Sequence, residues 1–149
     1  MWRLLAPVLV VMALGACGAG TGVGANDGEG EVSSPQLDRM REAVDGLAPT
    51  YIFDVTSTCG ERNLLGSFRV TVVDDQVAEV RPLDGTRLHG LGPDDFPTLA
   101  DLLDLVDEVG PEADLEVELD EGGLPRQIVI DHVPEAIDDE ECYRISNLA

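Results

Sequence analysis

The sequence predicts an α+β domain, a single antiparallel sheet of about six strands with two helices packed on one face, in the order α-β-β-β-α-β-β-β. Two segments repeat apolar residues at helical spacing, and six short segments alternate apolar with polar side chains. Most of those six keep one polar face, as antiparallel strands do when one side meets a core and the other meets water. The helices then belong on the apolar side.

The first helix is expected from Ser34, a capping residue, with Pro35 suited to the first helical position. Leu37, Met40, Val44 and Leu47 share one face, and Pro49 ends it. Thr50 to Thr58 reads as a strand with Tyr51, Phe53 and Val55 on its apolar side. Phe68, Val70 and Val72 repeat that alternation, and Asp74-Asp75 turns the chain tightly into Gln76 to Leu83, forming a hairpin. Leu88 to Phe96 is a loop rich in turn residues, with His89, Gly90, Gly92 and Pro93. A second helix follows. Thr98 and Asp101 form a capping box with aspartate in place of glutamate; Leu99, Leu102, Leu103, Val106 and Val109 line its apolar face, and Gly110-Pro111 stops it. Leu115, Val117 and Leu119 begin a second hairpin that turns at Glu121-Gly122-Gly123 into Pro125 to Asp131. Cys142 to Leu148 closes the domain as a strand with Tyr143 and Ile145 on one face.

Ahead of this domain lies a targeting pattern. Arg3 precedes the apolar run Leu4 to Leu14, and Leu14-Gly15-Ala16 leads into Cys17. That junction resembles the lipobox of bacterial lipoproteins, whose cysteine is acylated and becomes the mature N-terminus. Glycines at 15, 18, 20, 22 and 24 dilute the run before it reaches the ~20 apolar residues of a spanning helix. The expected organisation is a lipoprotein signal peptide over 1–16, lipidation at Cys17, a Gly-rich tether over 17–33 and the α+β domain over 34–149. The tether carries six glycines and three acids between Gly18 and Ser33. Two acyl chains on a diacylglyceryl cysteine suffice for stable attachment, so the expected location is the extracytoplasmic side of the cell membrane.

All thirty acids lie after Cys17 against eight arginines there and no lysine, a formal charge of −22. Such a surface repels phosphate backbones and anionic headgroups, so no nucleic-acid partner is expected, and the membrane is met through the lipid alone. With Cys17 acylated, Cys59 and Cys142 remain as an even pair in an exported chain, and a disulfide is expected. Neither has the C-x-x-C spacing of a zinc site. Strand parity leaves the bond unexplained: Cys59 continues the apolar face of its strand, whereas Cys142 opposes Tyr143 and Ile145.

Three blocks together resemble a known family. They are Tyr51-Ile52-Phe53 with Cys59 and Gly66 to Val72; Phe96 to Leu103; and Gly123 to Asp131 with Ile137 to Glu140 and Tyr143 to Leu148. The family comprises small exported bacterial proteins, many of them lipoproteins, classified as domain of unknown function 6174. The resemblance implies fold and location but no reaction. Where the family often has Cys-x-Cys, Cys59 is followed by Gly60 and Glu61, and the partner cysteine falls at Cys142. Asp75 and Gln76 stand where the middle hairpin often has Asp-Gly.

No catalytic residue, cofactor or metal site is assigned. His89 and His132 lack zinc-ligand spacing, and no G-x-S-x-G elbow marks a nucleophile. Arg69, Arg81 and Arg126 suit carboxylate binding, but in so acidic a chain they are expected to neutralise neighbouring acids. Asp138-Asp139-Glu140-Glu141 is the densest acidic run and the candidate calcium contact, set against a solvated, exposed turn. The leading expectation is a lipid-anchored, non-catalytic envelope domain that binds a protein or small ligand or assists envelope maintenance. The alternative is an envelope enzyme, a carboxylate-dependent hydrolase.

Overall fold

The structure, a computed structural model, describes residues 32–60, 64–134, 136 and 139–149. The elements run α1 (Ser34–Asp45), β1 (Thr50–Ser57), β2 (Gly66–Val73), β3 (Gln76–Pro82), α2 (Leu99–Asp107), β4 (Asp114–Leu119), β5 (Pro125–Asp131) and β6 (Glu140–Ser146). The six strands form one antiparallel sheet in the order β3-β2-β1-β6-β5-β4. Two three-strand meanders, separated in sequence by α2, therefore meet along β1 and β6. Their seam pairs Val55 with Ile145 and Ser57 with Tyr143. Beyond β6 the chain swings through Asn147 at φ 52°, and Ala149 then exchanges two backbone hydrogen bonds with Ile52.

The strand alternation expected from sequence is observed. Phe53, Val55, Phe68, Val70, Val72, Ile128, Ile130, Tyr143 and Ile145 turn to one face and are buried there against Met40 and Val44 of α1 and Leu99, Leu102, Leu103 and Val106 of α2. Phe96 anchors the β3–α2 loop with its ring edge-on to Phe68, centroids 4.8 Å apart. The Thr98 box forms as expected: Asp101 N–H donates to Thr98 Oγ1, and Thr98 N–H donates to Asp101 Oδ2. Tyr51 on β1 adds to this cap, its phenol oxygen accepting from Leu99 N–H; burial pushes that phenol's pKa up.

Several boundaries differ from the expectation. Ser33, not Ser34, occupies the N-cap of α1, with Pro35 in the first turn. This helix ends at Asp45 rather than near Pro49: Gly46 N–H makes the last i→i−4 bond, to the Glu42 carbonyl, and Leu47 N–H then donates to Val44 in a tighter turn. Helix α2 ends at Asp107, two residues before Val109. The loop between β3 and α2 holds a short 3-10 helix at Pro93–Asp95. Strand β6 begins two residues earlier than expected, at Glu140.

The turns obey backbone sterics. Asp74 and Asp75 adopt φ 49° and 60°, the two left-handed positions of a type I′ turn that glycine and asparagine fill more easily. Gly123 turns β4 into β5 at φ 94°, and a Cβ there would lie 2.9 Å from the Arg39 carbonyl oxygen of α1. The edge strand β4 is protected from pairing by Gln36 of α1, whose side-chain amide donates to the Val117 carbonyl, and by exposed Glu116 and Glu118.

Candidate functional site

The helices leave the other face of the sheet uncovered. Alternation and register place on it Ile52, Asp54 and Thr56 of β1, Ser67, Arg69 and Thr71 of β2, Glu79 and Arg81 of β3, Arg144 and Ser146 of β6, Gln127 and Val129 of β5, and Glu116 and Glu118 of β4. It is a polar surface with arginines at three positions, in a chain of strongly negative charge.

Two of those arginines neutralise acids, as the sequence suggested. Arg69 grips Asp54 through both carboxylate oxygens at 2.7 and 2.8 Å, and Asn147 adds a third donor at 2.8 Å. Asp54 is buried on this face, and the Arg69 hydrogen bonds hold its pKa below the usual carboxylate range against the opposing effect of burial. Arg81 pairs in the same forked way with Glu79 at 2.9 and 3.2 Å. Arg126 is exposed at the bulge where β5 begins, and it forms no ion pair among the described residues.

The third arginine on the face, Arg144, was not singled out by sequence reasoning. It stands between Thr56 of β1 and Gln127 of β5 in the cross-strand register. Its guanidinium donates to Gln127 Oε1 at 3.3 Å and forms no ion pair among the described residues. A cleft of about 240 Å³ opens beside it, lined by Thr56, Thr58, Gln127, Val129, Cys142 and Arg144, with Tyr143 contributing to its floor. Two larger grooves lie elsewhere. One of about 510 Å³ runs between the start of α1 and the end of α2, past Val32, Leu37, Val106 and Val109. The other, of about 490 Å³, is bordered by Leu47, Pro49, Tyr51, Asp74 and Asp75.

The acidic run that leads into β6 is not the exposed turn expected from its composition: its last two residues, Glu140 and Glu141, belong to the strand. Glu141 points into the core face beside Tyr143, with only 3% of its side chain exposed. Its oxygens accept from the Tyr143 hydroxyl at 2.8 Å and meet His132 Nε2 at 3.0 Å. A carboxylate is tolerated there because hydrogen bonds replace lost water. Asp139 keeps one carboxylate oxygen buried without a hydrogen-bond partner among the described residues, and Glu140 is half-buried in the strand, opposite Asp131, which in turn faces Asp114. Asp138 lies outside the described residues, as does the proposed acylation site Cys17. Among the described residues no group of three or more His, Cys, Asp or Glu side chains is placed to hold a metal ion. His89 is exposed in the β3–α2 loop.

Cys59 and Cys142 form the expected disulfide, with Cα atoms 5.4 Å apart. The parity problem is resolved at the strand end. β1 stops at Ser57, so Cys59 is free of the alternation and reaches the edge of the open-face cleft that Cys142 lines. Gly60 follows at φ 85°, where a Cβ would collide with the Glu140 carbonyl oxygen.

No described helix is long and apolar enough to cross a membrane. No curated protein and no solved structure matches the chain. Residues 44–149, from the last turn of α1 to the C-terminal residue, match the sequence profile described as "Family of unknown function (DUF6174)", and the span takes in every strand, α2, the disulfide and the open face. The chain therefore belongs to that family of unknown function.

Proposed function

We propose that this protein is a lipid-anchored domain of the bacterial cell envelope that acts by binding, with the uncovered face of its sheet as the binding surface. One observation carries the reading: the helices and the core occupy one side of the sheet, and the other side presents a cleft and a set of rigidly mounted polar groups. Side chains on central strands are held by the sheet on both flanks, so a ligand meets a preorganised surface and little ordering entropy is lost. The signal-like segment ending at Cys17 and the disulfide, which suits an oxidising compartment, support the location.

The buried Glu141 beside His132 and Tyr143 is the arrangement that would favour a carboxylate-dependent hydrolase. Its oxygens are engaged, it faces the core, and it lines none of the three cavities, so its arrangement supports a structural role.

Photo-cross-linking in intact envelopes tests the binding reading. A cross-linker at Thr71 or Ser146 on the open face should give discrete adducts, and one at Asp38 or Asp104 on the helices should not. Adducts from the helical positions alone would overturn it.

A further inference from the structure

We propose that the open-face cleft binds a small monocarboxylic acid with an apolar body, its carboxylate held by Arg144; this rests on the reading of that face as the binding surface.

The inference starts from a difference among three arginines on one face. Arg69 and Arg81 each direct two N–H groups at a carboxylate of this chain. Arg144 has five donors, and among the described residues its one side-chain partner is the neutral amide oxygen of Gln127, at the long end of hydrogen bonding. Thirty acids are available in the sequence, yet the register puts Thr56 and Gln127, not an acid, across from Arg144. The guanidinium is thus mounted on a central strand, at the edge of a cavity, with no carboxylate on its fork among the described residues. A planar fork of parallel N–H donors matches a carboxylate in bidentate geometry.

The cleft defines the rest of the ligand. Thr56 and Thr58 line one side, the Thr56 hydroxyl being hydrogen-bonded to Ser67 at 3.0 Å, while Val129 and Cys142 supply apolar lining. A volume of about 240 Å³ holds roughly eight waters at their liquid volume, enough for a carboxylate on one ring or a short branched chain. Charge sets the valence. The Debye length is about 8 Å at physiological salt, so one carboxylate is governed mainly by Arg144 beside it, while each further negative charge meets the field of the chain's excess acids.

The test uses the full chain, ¹⁵N-labelled, with sodium benzoate as probe and benzamide as its uncharged counterpart. Benzoate should give saturable amide shifts centred on Thr56, Gln127 and Arg144, and benzamide should not. Arg144→Gln should weaken benzoate binding at least about tenfold, Arg144→Lys should fall between, and Arg39→Gln on α1 should match the wild type. Conserved shifts elsewhere in the spectrum verify the fold of each variant. Equal shifts with benzamide, or unchanged benzoate binding in Arg144→Gln, would overturn the proposal. If benzoate fails while cross-links from Thr71 persist, the carboxylate assignment falls and the face reading stands. If both fail, both fall.

Discussion

Removing the Cys59–Cys142 bond should cost this domain a large part of its stability. The disulfide spans 83 positions of sequence, from just past the end of β1 to the start of β6, and so closes a loop that holds β2, β3, α2, β4 and β5. In the chain-entropy treatment a loop of that length lowers the entropy of the unfolded chain by an amount worth about 4.5 kcal/mol at 25 °C. Residual structure in the unfolded chain reduces this, and small secreted domains lose about 2–5 kcal/mol. Cys142 and Cys59 are both half-buried, so Cys59→Ser/Cys142→Ser leaves little cavity to add to that loss. At roughly 4 °C per kcal/mol for a domain near this size, the melting temperature should fall by roughly 8–20 °C. The mechanism makes a second, independent demand. A chain without the cross-link exposes more surface when unfolded, so the denaturant m-value should rise in the double variant. Urea titrations followed by circular dichroism read both quantities. A stability loss below about 1 kcal/mol, or an unchanged m-value, would refute the unfolded-state account.

Arg69→Gln removes the main cause of the depressed Asp54 pKa, so the wild type's advantage should be full at neutral pH and disappear as pH falls through the low folded-state value; urea midpoints at pH 7 and pH 3 check this, and an equal loss at both would contradict it. Gly123→Ala should destabilise by about 1–3 kcal/mol, because its φ of 94° and the Arg39 carbonyl leave no room for a methyl, while Gly110→Ala should stay within about 0.5 kcal/mol. Asp131→Asn should stabilise by about 0.2–1 kcal/mol at low salt by relieving the like-charged row Asp114–Asp131–Glu140, with the gain shrinking as salt is added. Expression of the full-length chain in a lipoprotein-processing bacterium should yield an acylated N-terminal peptide beginning at Cys17, and Cys17→Ala should abolish the label; an unmodified wild-type peptide in mass spectrometry would end the lipid-anchor reading.

The chain's elements are written in local chemistry, and local chemistry is what a sequence displays. The alternation of Tyr51, Phe53 and Val55, the helical spacing from Leu99 to Val106, and the Thr98–Asp101 cap involve residues a few positions apart, where backbone geometry alone decides which side chains share a face. The α+β class, the element order and the two hairpins follow from these. The pairing of cysteines was also legible, by count and by the export that the leading segment suggests. Element boundaries were less so, because competing hydrogen bonds set them, as the Leu47–Val44 turn bond does at the end of α1.

Only the tertiary structure decided the contacts between distant segments. The two meanders meet along β1 and β6, a pairing with no local signature, and that seam carries the disulfide and completes the open face. The same seam turns Glu141 inward: composition marks it as a solvated acid, whereas its place on β6 aligns it with Tyr143 and Ile145 and brings His132 to it. Arg144 shows the point most directly. All three arginines on this face lie on strands of similar composition, and their charges are alike in sequence. Register gives Arg69 an aspartate across the strand and Arg144 a threonine and a glutamine, so one is neutralised within the chain and the other is left facing the cleft. A one-residue shift in pairing would move each of these side chains to the other side of the sheet, which is why alternation predicts the faces and only the assembled sheet assigns the partners.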